Sequence, residues 1–121
     1  LPTDEEWKML EGTVDSQYPV GDPEWDDSGI RGLDAGKNLK SNFGWYSNGK
    51  GTDLYGFGAL PGGNRLSNGS FNILGNIGFW WSSSEYSGSG AWNRFLYYDI
   101  DGSYRNNDYK TYGRSVRCLK N

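Results

Sequence analysis

The stretch FWWSSSEYSGSGAWNRFLYYDIDG, residues 79–102, decides the fold. Its first part, FWWSSSE (79–85), predicts a β-strand, and AWNRFLYYD (91–99) predicts a second one. DIDG (99–102) is typical of a hairpin turn. Because the side chains of a strand alternate between two faces, one face is expected to carry Trp92, Arg94, Leu96 and Tyr98 and the other Asn93, Phe95 and Tyr97.

The following stretch, SYRNNDYKTYG (103–113), has three tyrosines, two asparagines and no aliphatic side chain. It shows neither the alternation of a half-buried strand nor the period of a helix. RSVRCL (114–119) then predicts a closing strand, with Val116 and Leu119 in the core. The lone cysteine of the chain, Cys118, is expected to be a small buried hydrophobic residue within that strand.

Length and composition predict a single domain, residues 1–121, that is rich in loops and has an aromatic core. Aromatic residues make up 17% of the chain, glycines number 19, and the formal net charge is −3. The basic residues are spread out, so a nucleic-acid partner is not expected. No stretch resembles a membrane span or a signal peptide, and the chain is expected to be a mature product or an excised domain with any targeting segment upstream.

The first half of the chain predicts two helices among loops. In LPTDEEWKML (1–10), Thr3 and Glu6 have the spacing of a capping box, and Gly12 is expected at or just past the end of the helix. Trp7, Leu10 and Val14 fall on one helical face, which we expect to meet the core. A loop with at most one helical turn is expected over residues 15–32, a second short helix over 33–41, and long ordered loops over 42–79.

The residue types exclude several kinds of chemistry. The chain has no histidine and one cysteine, so a catalytic triad and a thiolate zinc site are ruled out, and no metal or cofactor is expected. The spacing of the carboxylates selects no acid–base pair among Glu85, Asp99, Asp101 and Asp108. DIDG (99–102) offers oxygen ligands for calcium, but a plain turn is the preferred interpretation. We therefore expect no enzyme activity.

Six motifs occur in order along the chain: LPTDEEW, AGKNLKSNFGW, GTDLYGFGALPGGNR, GSFNILGNIGFWWSSSE, AWNRFLYY and GRSVRCLKN. Together they resemble the Fibrobacter succinogenes major paralogous domain, a family of exported bacterial domains. The resemblance implies an α+β, C-type lectin-like fold of the variety shared with formylglycine-generating enzymes. In such a fold, two short helices pack on a small twisted antiparallel sheet with long ordered loops.

The chain departs from this family in two ways. Family members usually have an N-terminal strand before the LPT motif, near their last strand, so an upstream segment or another chain is expected to cover the edge beside SVRCL (115–119). The calcium-dependent sugar motifs of animal C-type lectins and the cysteines of the formylglycine enzymes are both missing. The resemblance therefore implies neither a calcium–sugar mechanism nor an oxidase.

The C-terminal part, residues 85–118, is similar to the variable regions of proteins diversified by retroelements that randomise adenines. The resemblance implies a fixed scaffold at Ala91, Trp92, Arg94, Leu96, Tyr98, Arg105, Lys110, Gly113, Ser115, Val116, Arg117 and Cys118. It implies diversified positions at Asn93, Phe95, Tyr97, Asp99, Ile100, Tyr104, Asn106, Asn107, Asp108, Tyr109, Thr111 and Tyr112, with Arg114 as a further candidate.

These observations predict a ligand-binding domain on the bacterial cell surface, with an exposed surface rich in tyrosine and asparagine. The expected aromatic anchors are Phe95, Tyr97, Tyr104, Tyr109 and Tyr112, and the expected polar contacts are Asn93, Asp99, Asn106, Asn107, Asp108 and Arg114. A protein ligand on a host or neighbouring cell is favoured because tyrosine and tryptophan are enriched at binding hot spots. The alternatives are a carbohydrate-binding module, in which the rings stack on sugars, and a purely structural domain of a surface protein.

Overall fold

Two α-helices and two antiparallel sheets form the chain in a computed structural model, which describes residues 1–120. The helices are α1 (Asp4–Val14) and α2 (Ala35–Leu39), and short 3₁₀ turns span Pro23–Asp26 and Tyr46–Asn48. The strands are β1 (Gly29–Arg31), β2 (Asn64–Arg65), β3 (Phe71–Asn72), β4 (Ile77–Glu85), β5 (Gly90–Tyr97) and β6 (Ser103–Tyr109). The main sheet has the order β1-β6-β5-β4, and β2 pairs with β3.

The predicted α+β class is confirmed, and the architecture is consistent with the C-type lectin-like fold that the resemblance implies. The second short helix predicted within residues 33–41 is confirmed as α2, and residues 42–76 are largely loop. The strand β1 was not predicted, because three residues between loops are too short to show alternation. None of the helices in residues 1–120 is both long and apolar enough to span a membrane.

The start of α1 confirms the predicted capping box. The Glu6 backbone N–H donates to Thr3 Oγ1 at 3.1 Å, and the Thr3 N–H donates to Glu6 Oε2 at 2.8 Å. The predicted end at Gly12 is wrong, because the helix continues to Val14. Gly12 instead lets the loop approach closely, since a Cβ atom at this position would lie 2.6 Å from Val20 Cα.

The hairpin of β5 and β6 is the centre of the main sheet. The turn predicted at residues 99–102 joins the two strands, and Phe95 pairs with Tyr104 in the register. The stretch after the turn therefore continues as a strand, contrary to the prediction that it lacks strand character. Its inward-facing residues, Ser103 and Arg105, are buried but polar, so the strand has no apolar alternation by which it could be recognised.

The prediction that RSVRCL (114–119) forms a closing strand is wrong. Ser115 makes one parallel bridge to Trp80 of β4, and no strand is assigned after it in the described chain. The next donor along that edge, the Ser83 N–H, is already bonded to the Pro2 carbonyl at 2.8 Å. Val116, Cys118 and Leu119 are consequently exposed, contrary to the expectation that they lie in a core strand. The described chain has no strand here whose edge an upstream segment or another chain would cover.

Each face of the main sheet has its own apolar cluster. On the first face, α1 and α2 pack on β4 and β5, and the buried side chains are Trp7, Val14, Trp25, Ala35, Leu39, Trp45, Ala59, Trp80 and Leu96. The second face carries a smaller cluster of Ile77, Phe79 and Phe95, against which Tyr97 and Tyr104 pack. The predicted division of β5 between two faces is confirmed, since Leu96 belongs to the first cluster and Phe95 to the second.

Candidate functional site

The candidate residues lie on β5, on β6 and in the segments next to these strands. Those that share the second face of the sheet are Asn93, Phe95, Tyr97, Tyr104, Asn106 and Asp108. Asp99 lies in the hairpin turn. Tyr112 and Arg114 lie in the segment after β6, which folds back over this face. Asn107 and Tyr109 alternate towards the opposite side at the far end of the hairpin.

An aromatic cluster forms the middle of the second face. The rings of Phe95 and Tyr104 stack with their centroids 4.7 Å apart, and those of Tyr97 and Tyr104 are 4.9 Å apart. Phe95 also lies 5.3 Å from Phe79 of β4, and only 9% of its surface is exposed. The expectation that Phe95 is an exposed anchor is therefore wrong, because a residue on a central strand is flanked by rings from both neighbours.

Tyr97 and Tyr104 are half-buried, so that part of each ring reaches solvent. Burial raises the pKa of the Tyr104 phenol, and the neighbouring Tyr97 and Asp99 raise this pKa further. The phenol is consequently protonated at neutral pH and available as a hydrogen-bond donor. Ile30 of β1 lies directly across from Tyr104, is exposed, and extends this face. Ile30 was not among the predicted site residues, because β1 was not predicted.

The polar candidates along β6 differ in accessibility. Asn106 and Asp99 are exposed, while Asn107 and Asp108 are half-buried. At the far end of the hairpin, Asn107 and Tyr109 of β6 line a pocket of about 260 Å³ together with the loop that joins β4 to β5. The Tyr109 ring is exposed and meets the Tyr112 ring edge to face at 6.0 Å. This contact joins the strand end to the segment that follows it.

Two candidates are buried instead of exposed. Asn93 has no exposed surface, and the Arg114 side chain is only 2% exposed. Arg114 Nη2 donates to Asp108 Oδ2 at 2.7 Å, and its guanidinium lies against Phe79 and Trp81. The expectation that Asn93 and Arg114 belong to an exposed surface is therefore wrong in this conformation. An arginine that follows a tyrosine-rich stretch gives no sequence signal that it will fold back onto the sheet.

Most of the accessible candidates lie along β6 and in the segment past its end. We name a tyrosine surface among them and define it as Tyr97, Tyr104, Asn106, Asp108, Tyr109 and Tyr112. Its rings form two contacting pairs, Tyr97 with Tyr104 and Tyr109 with Tyr112, and its polar side chains lie along β6 between the two pairs. The surface combines phenol hydroxyls, a side-chain amide and one carboxylate.

A buried ionic network holds the sheet from the opposite face. Glu11 of α1 accepts hydrogen bonds from Arg31 Nη2 and Arg94 Nε, each at 2.8 Å. Asp4 accepts from Arg94 Nη1 at 2.7 Å and from Arg105 Nη2 at 2.8 Å. Burial alone would raise the pKa of both carboxyls, but the arginines outweigh it and lower the pKa below the ordinary value. The network ties α1 to β1, β5 and β6.

The hairpin turn that carries Asp99 is held by a buried lysine. Lys40 Nζ donates to the backbone carbonyls of Tyr97 at 2.8 Å and Ile100 at 3.1 Å. Burial lowers the pKa of Lys40, and Asp101 and Asp99 offset part of that shift. Neither Lys40 nor the ionic network was predicted, because charged side chains are usually solvent-exposed.

Within residues 1–120, the His, Cys, Asp and Glu side chains do not come together in groups of three that could hold a metal ion. The model of one protein family, the Fibrobacter succinogenes major domain, matches residues 1–120. A search of curated proteins and a search of solved structures each found no match.

Proposed function

This chain belongs to the Fibrobacter succinogenes major domain family, and we propose that it is a ligand-binding domain that uses the tyrosine surface to contact a protein ligand. We propose further that it binds without catalysis and does so outside the bacterial cell. Two acidic side chains of α1 are buried against the first face of the sheet. Asp4 and Glu11 support a non-catalytic role because both are engaged in ion pairs.

The observation that carries the proposal is the difference between the two faces of the main sheet. Both helices contribute to the apolar cluster on the first face, and neither contributes to the cluster on the second, among residues 1–120. The second face therefore leaves the rings of Tyr97 and Tyr104 partly in solvent, beside the exposed Asn106. Half-exposed rings on a rigid sheet are preorganised for contact with a partner.

The residue types of the tyrosine surface favour a protein ligand. Tyrosine offers a large amphipathic contact area at a low cost in side-chain entropy, and asparagine adapts its hydrogen bonds to different partners. Tyr97, Tyr104, Tyr109 and Tyr112 supply the first kind of contact, and Asn106 supplies the second. Tyrosine is also enriched at the energetic centres of protein interfaces.

We also propose that diversification within residues 85–118 acts on the accessible positions. Asp99, Asn106, Tyr109 and Thr111 are exposed, so their substitution leaves both apolar clusters intact. Asn93 and Phe95 are buried, and substitutions there act on packing as well as on recognition. The test is the surrounding DNA, in which a near-copy of this coding segment should differ mainly at adenines and accompany a reverse-transcriptase gene.

A paired screen tests the binding function. The purified chain is presented to a library of bacterial and host surface proteins, and in parallel to a glycan panel with and without a chelator. We expect a protein hit whose binding is lost in Asn106→Ala and retained in Asn42→Ala, a matched exposed asparagine in a loop. A glycan hit that depends on Tyr104 and Tyr109 would replace this proposal with a carbohydrate-binding module, and the absence of any hit would favour a structural domain.

A further inference from the structure

Arg114 lies in a cage of three aromatic rings and one carboxylate. Its guanidinium carbon is 4.5 Å from the centroid of the Phe79 ring, 5.1 Å from Trp81 and 5.6 Å from Tyr112. Asp108 accepts a hydrogen bond from Nη2 at 2.7 Å. Rings within about 6 Å of a cation attract it through their quadrupoles, and the carboxylate adds its charge. The four side chains form a site suited to a cation.

Arg114 itself is poorly satisfied in this cage. Nε and Nη1 are buried without a hydrogen-bond partner, and the bond to Asp108 is the one hydrogen bond its side chain makes within residues 1–120. The arginines of the ionic network behave differently, since Arg94 and Arg105 each donate four hydrogen bonds. Arg31 also donates four, although its Nε is unpaired. Arg114 therefore makes fewer side-chain hydrogen bonds in the cage than the three buried arginines of the ionic network make in theirs.

A second unpartnered group lies on the same face of the sheet. Asn93 is fully buried, and neither its side-chain oxygen nor its side-chain nitrogen has a hydrogen-bond partner. In the strand register Asn93 lies directly across from Trp81, one of the three rings of the cage. A buried amide whose donor and acceptor are both unused is costly, and a native structure needs a reason to keep it, such as a bound ion or water or a functional role.

The backbone on both sides of Arg114 is fixed. The Gly113 N–H donates to the Arg65 carbonyl at 2.8 Å, and the Ser115 N–H donates to the Phe79 carbonyl at 3.0 Å. Rotation of the Arg114 side chain therefore needs no movement of these backbone bonds. Once the Arg114 side chain has rotated out of the cage, its Nε and Nη1 would donate hydrogen bonds to water, and the cage would be free to receive another cation.

We propose that the cage of Phe79, Trp81, Tyr112 and Asp108 is a binding site for a cationic side chain, and that Arg114 fills it until a ligand displaces it. This inference rests on the proposed function, because it assigns the incoming lysine or arginine to the protein ligand of the tyrosine surface. Arg114 then acts as an intramolecular competitor that the ligand must replace. The cage adjoins the tyrosine surface through Tyr112 and Asp108, which belong to both.

The test uses Arg114→Ala in the whole chain, with methylguanidinium as the probe and methylurea as its neutral isostere. The readout is the indole N–H resonance of Trp81, assigned with Trp81→Phe. We expect a saturable shift with methylguanidinium and none with methylurea. We expect binding to be at least about tenfold weaker in the wild-type chain, where Arg114 competes, and about tenfold weaker in Asp108→Asn/Arg114→Ala, where the counter-charge is lost.

Two results of this titration would overturn the inference: a folded Arg114→Ala variant without a saturable shift, or one that responds equally to methylurea. A second measurement needs no variant and compares the hydrogen exchange of Arg114 Nε–H with that of Arg94 Nε–H, which donates to Glu11. We expect exchange at Arg114 to be faster than global unfolding, and exchange only through global unfolding would also overturn the cage proposal. A result that overturns the cage proposal leaves the outcome of the protein screen unchanged, because the screen compares binding by Asn106→Ala and Asn42→Ala and does not test the cage.

Discussion

Glu11 and Arg94 join the first helix to the central strand β5 through a buried ion pair, with Arg94 Nε 2.8 Å from Glu11 Oε1. The same carboxylate binds Arg31 of the edge strand, and Asp4 links Arg94 to Arg105 of β6. The strands that carry the tyrosine surface are thus held in place by α1, which packs on the first face of the sheet. We therefore expect the exposed side chains of the tyrosine surface to contribute little to the stability of the sheet.

Glu11→Gln should destabilise the fold strongly. The change leaves Arg31 buried without its carboxylate and Arg94 with Asp4 alone, and loss of one partner from a buried pair costs about 3–5 kcal/mol in the free energy of unfolding. Urea denaturation measures this loss. Glu5→Gln is the matched control, because Glu5 is exposed and pairs with Lys8 at the surface, where about 0–1 kcal/mol is expected. Equal, small losses in both variants would show that the network carries little stability.

Acid should unfold the chain through the same carboxylates. Their ordinary pKa values are 3.8 for Asp4 and 4.5 for Glu11, and both are lowered in the folded state. The unfolded chain therefore takes up protons first as the pH falls, so the contribution of each carboxylate is complete above its ordinary value and is lost below it. We expect the free energy of unfolding to decline below about pH 4.5. Glu11→Gln should show a shallower decline, and an unchanged slope would contradict the lowered pKa of Glu11.

The sequence predicted the elements whose signals are local. Thr3 and Glu6 mark the start of α1 because a capping box needs only four consecutive residues. The strand β4 is predicted from its run of aromatic residues at 79–81, and β5 from the alternation of its side chains around Leu96. Division of β5 between two faces followed from the same alternation.

The sequence did not predict the features that depend on distant partners. Ser103 and Arg105 are buried on β6 because Arg105 meets Asp4, 101 residues away in the chain. Cys118 looked like a core residue, but the edge of β4 that it would need is already bonded to Pro2. Arg114 looked like a surface residue, although its guanidinium packs against rings of β4 and pairs with Asp108 of β6.

Lys40→Met should loosen the turn that displays Asp99. The substitution removes the charged donor from the carbonyls of Tyr97 and Ile100, and hydrogen bonds to charged groups contribute about 1.5–3 kcal/mol. Hydrogen exchange should show faster exchange of the backbone amides in residues 98–102, with a lower melting temperature. Lys37→Met, at an exposed position of α2 just before Lys40, should change neither, and similar protection in both variants would refute the role of Lys40.

Phe95→Ala and Tyr109→Ala should differ in stability, because Phe95 is a core residue of the C-terminal hairpin and Tyr109 is a surface residue. Phe95 is buried between rings of β4 and β6, so its removal should cost about 3–5 kcal/mol. Tyr109 is exposed, and the effect of its removal on stability should stay within about 1 kcal/mol. Thermal and urea denaturation of the two variants provide the comparison. A large loss at Tyr109 would place that ring in the core and remove it from the tyrosine surface.

The most direct test of the account is the affinity for the protein ligand of two matched double variants. Asn106→Ala/Tyr109→Ala changes the tyrosine surface, and Asn42→Ala/Tyr55→Ala changes exposed residues elsewhere, with Tyr109 62% and Tyr55 64% exposed. We predict a dissociation constant at least about tenfold higher for the first variant, since tyrosine hot spots contribute 2 kcal/mol or more, and an unchanged constant for the second. Equal affinities of two folded variants would contradict the assignment of binding to this surface.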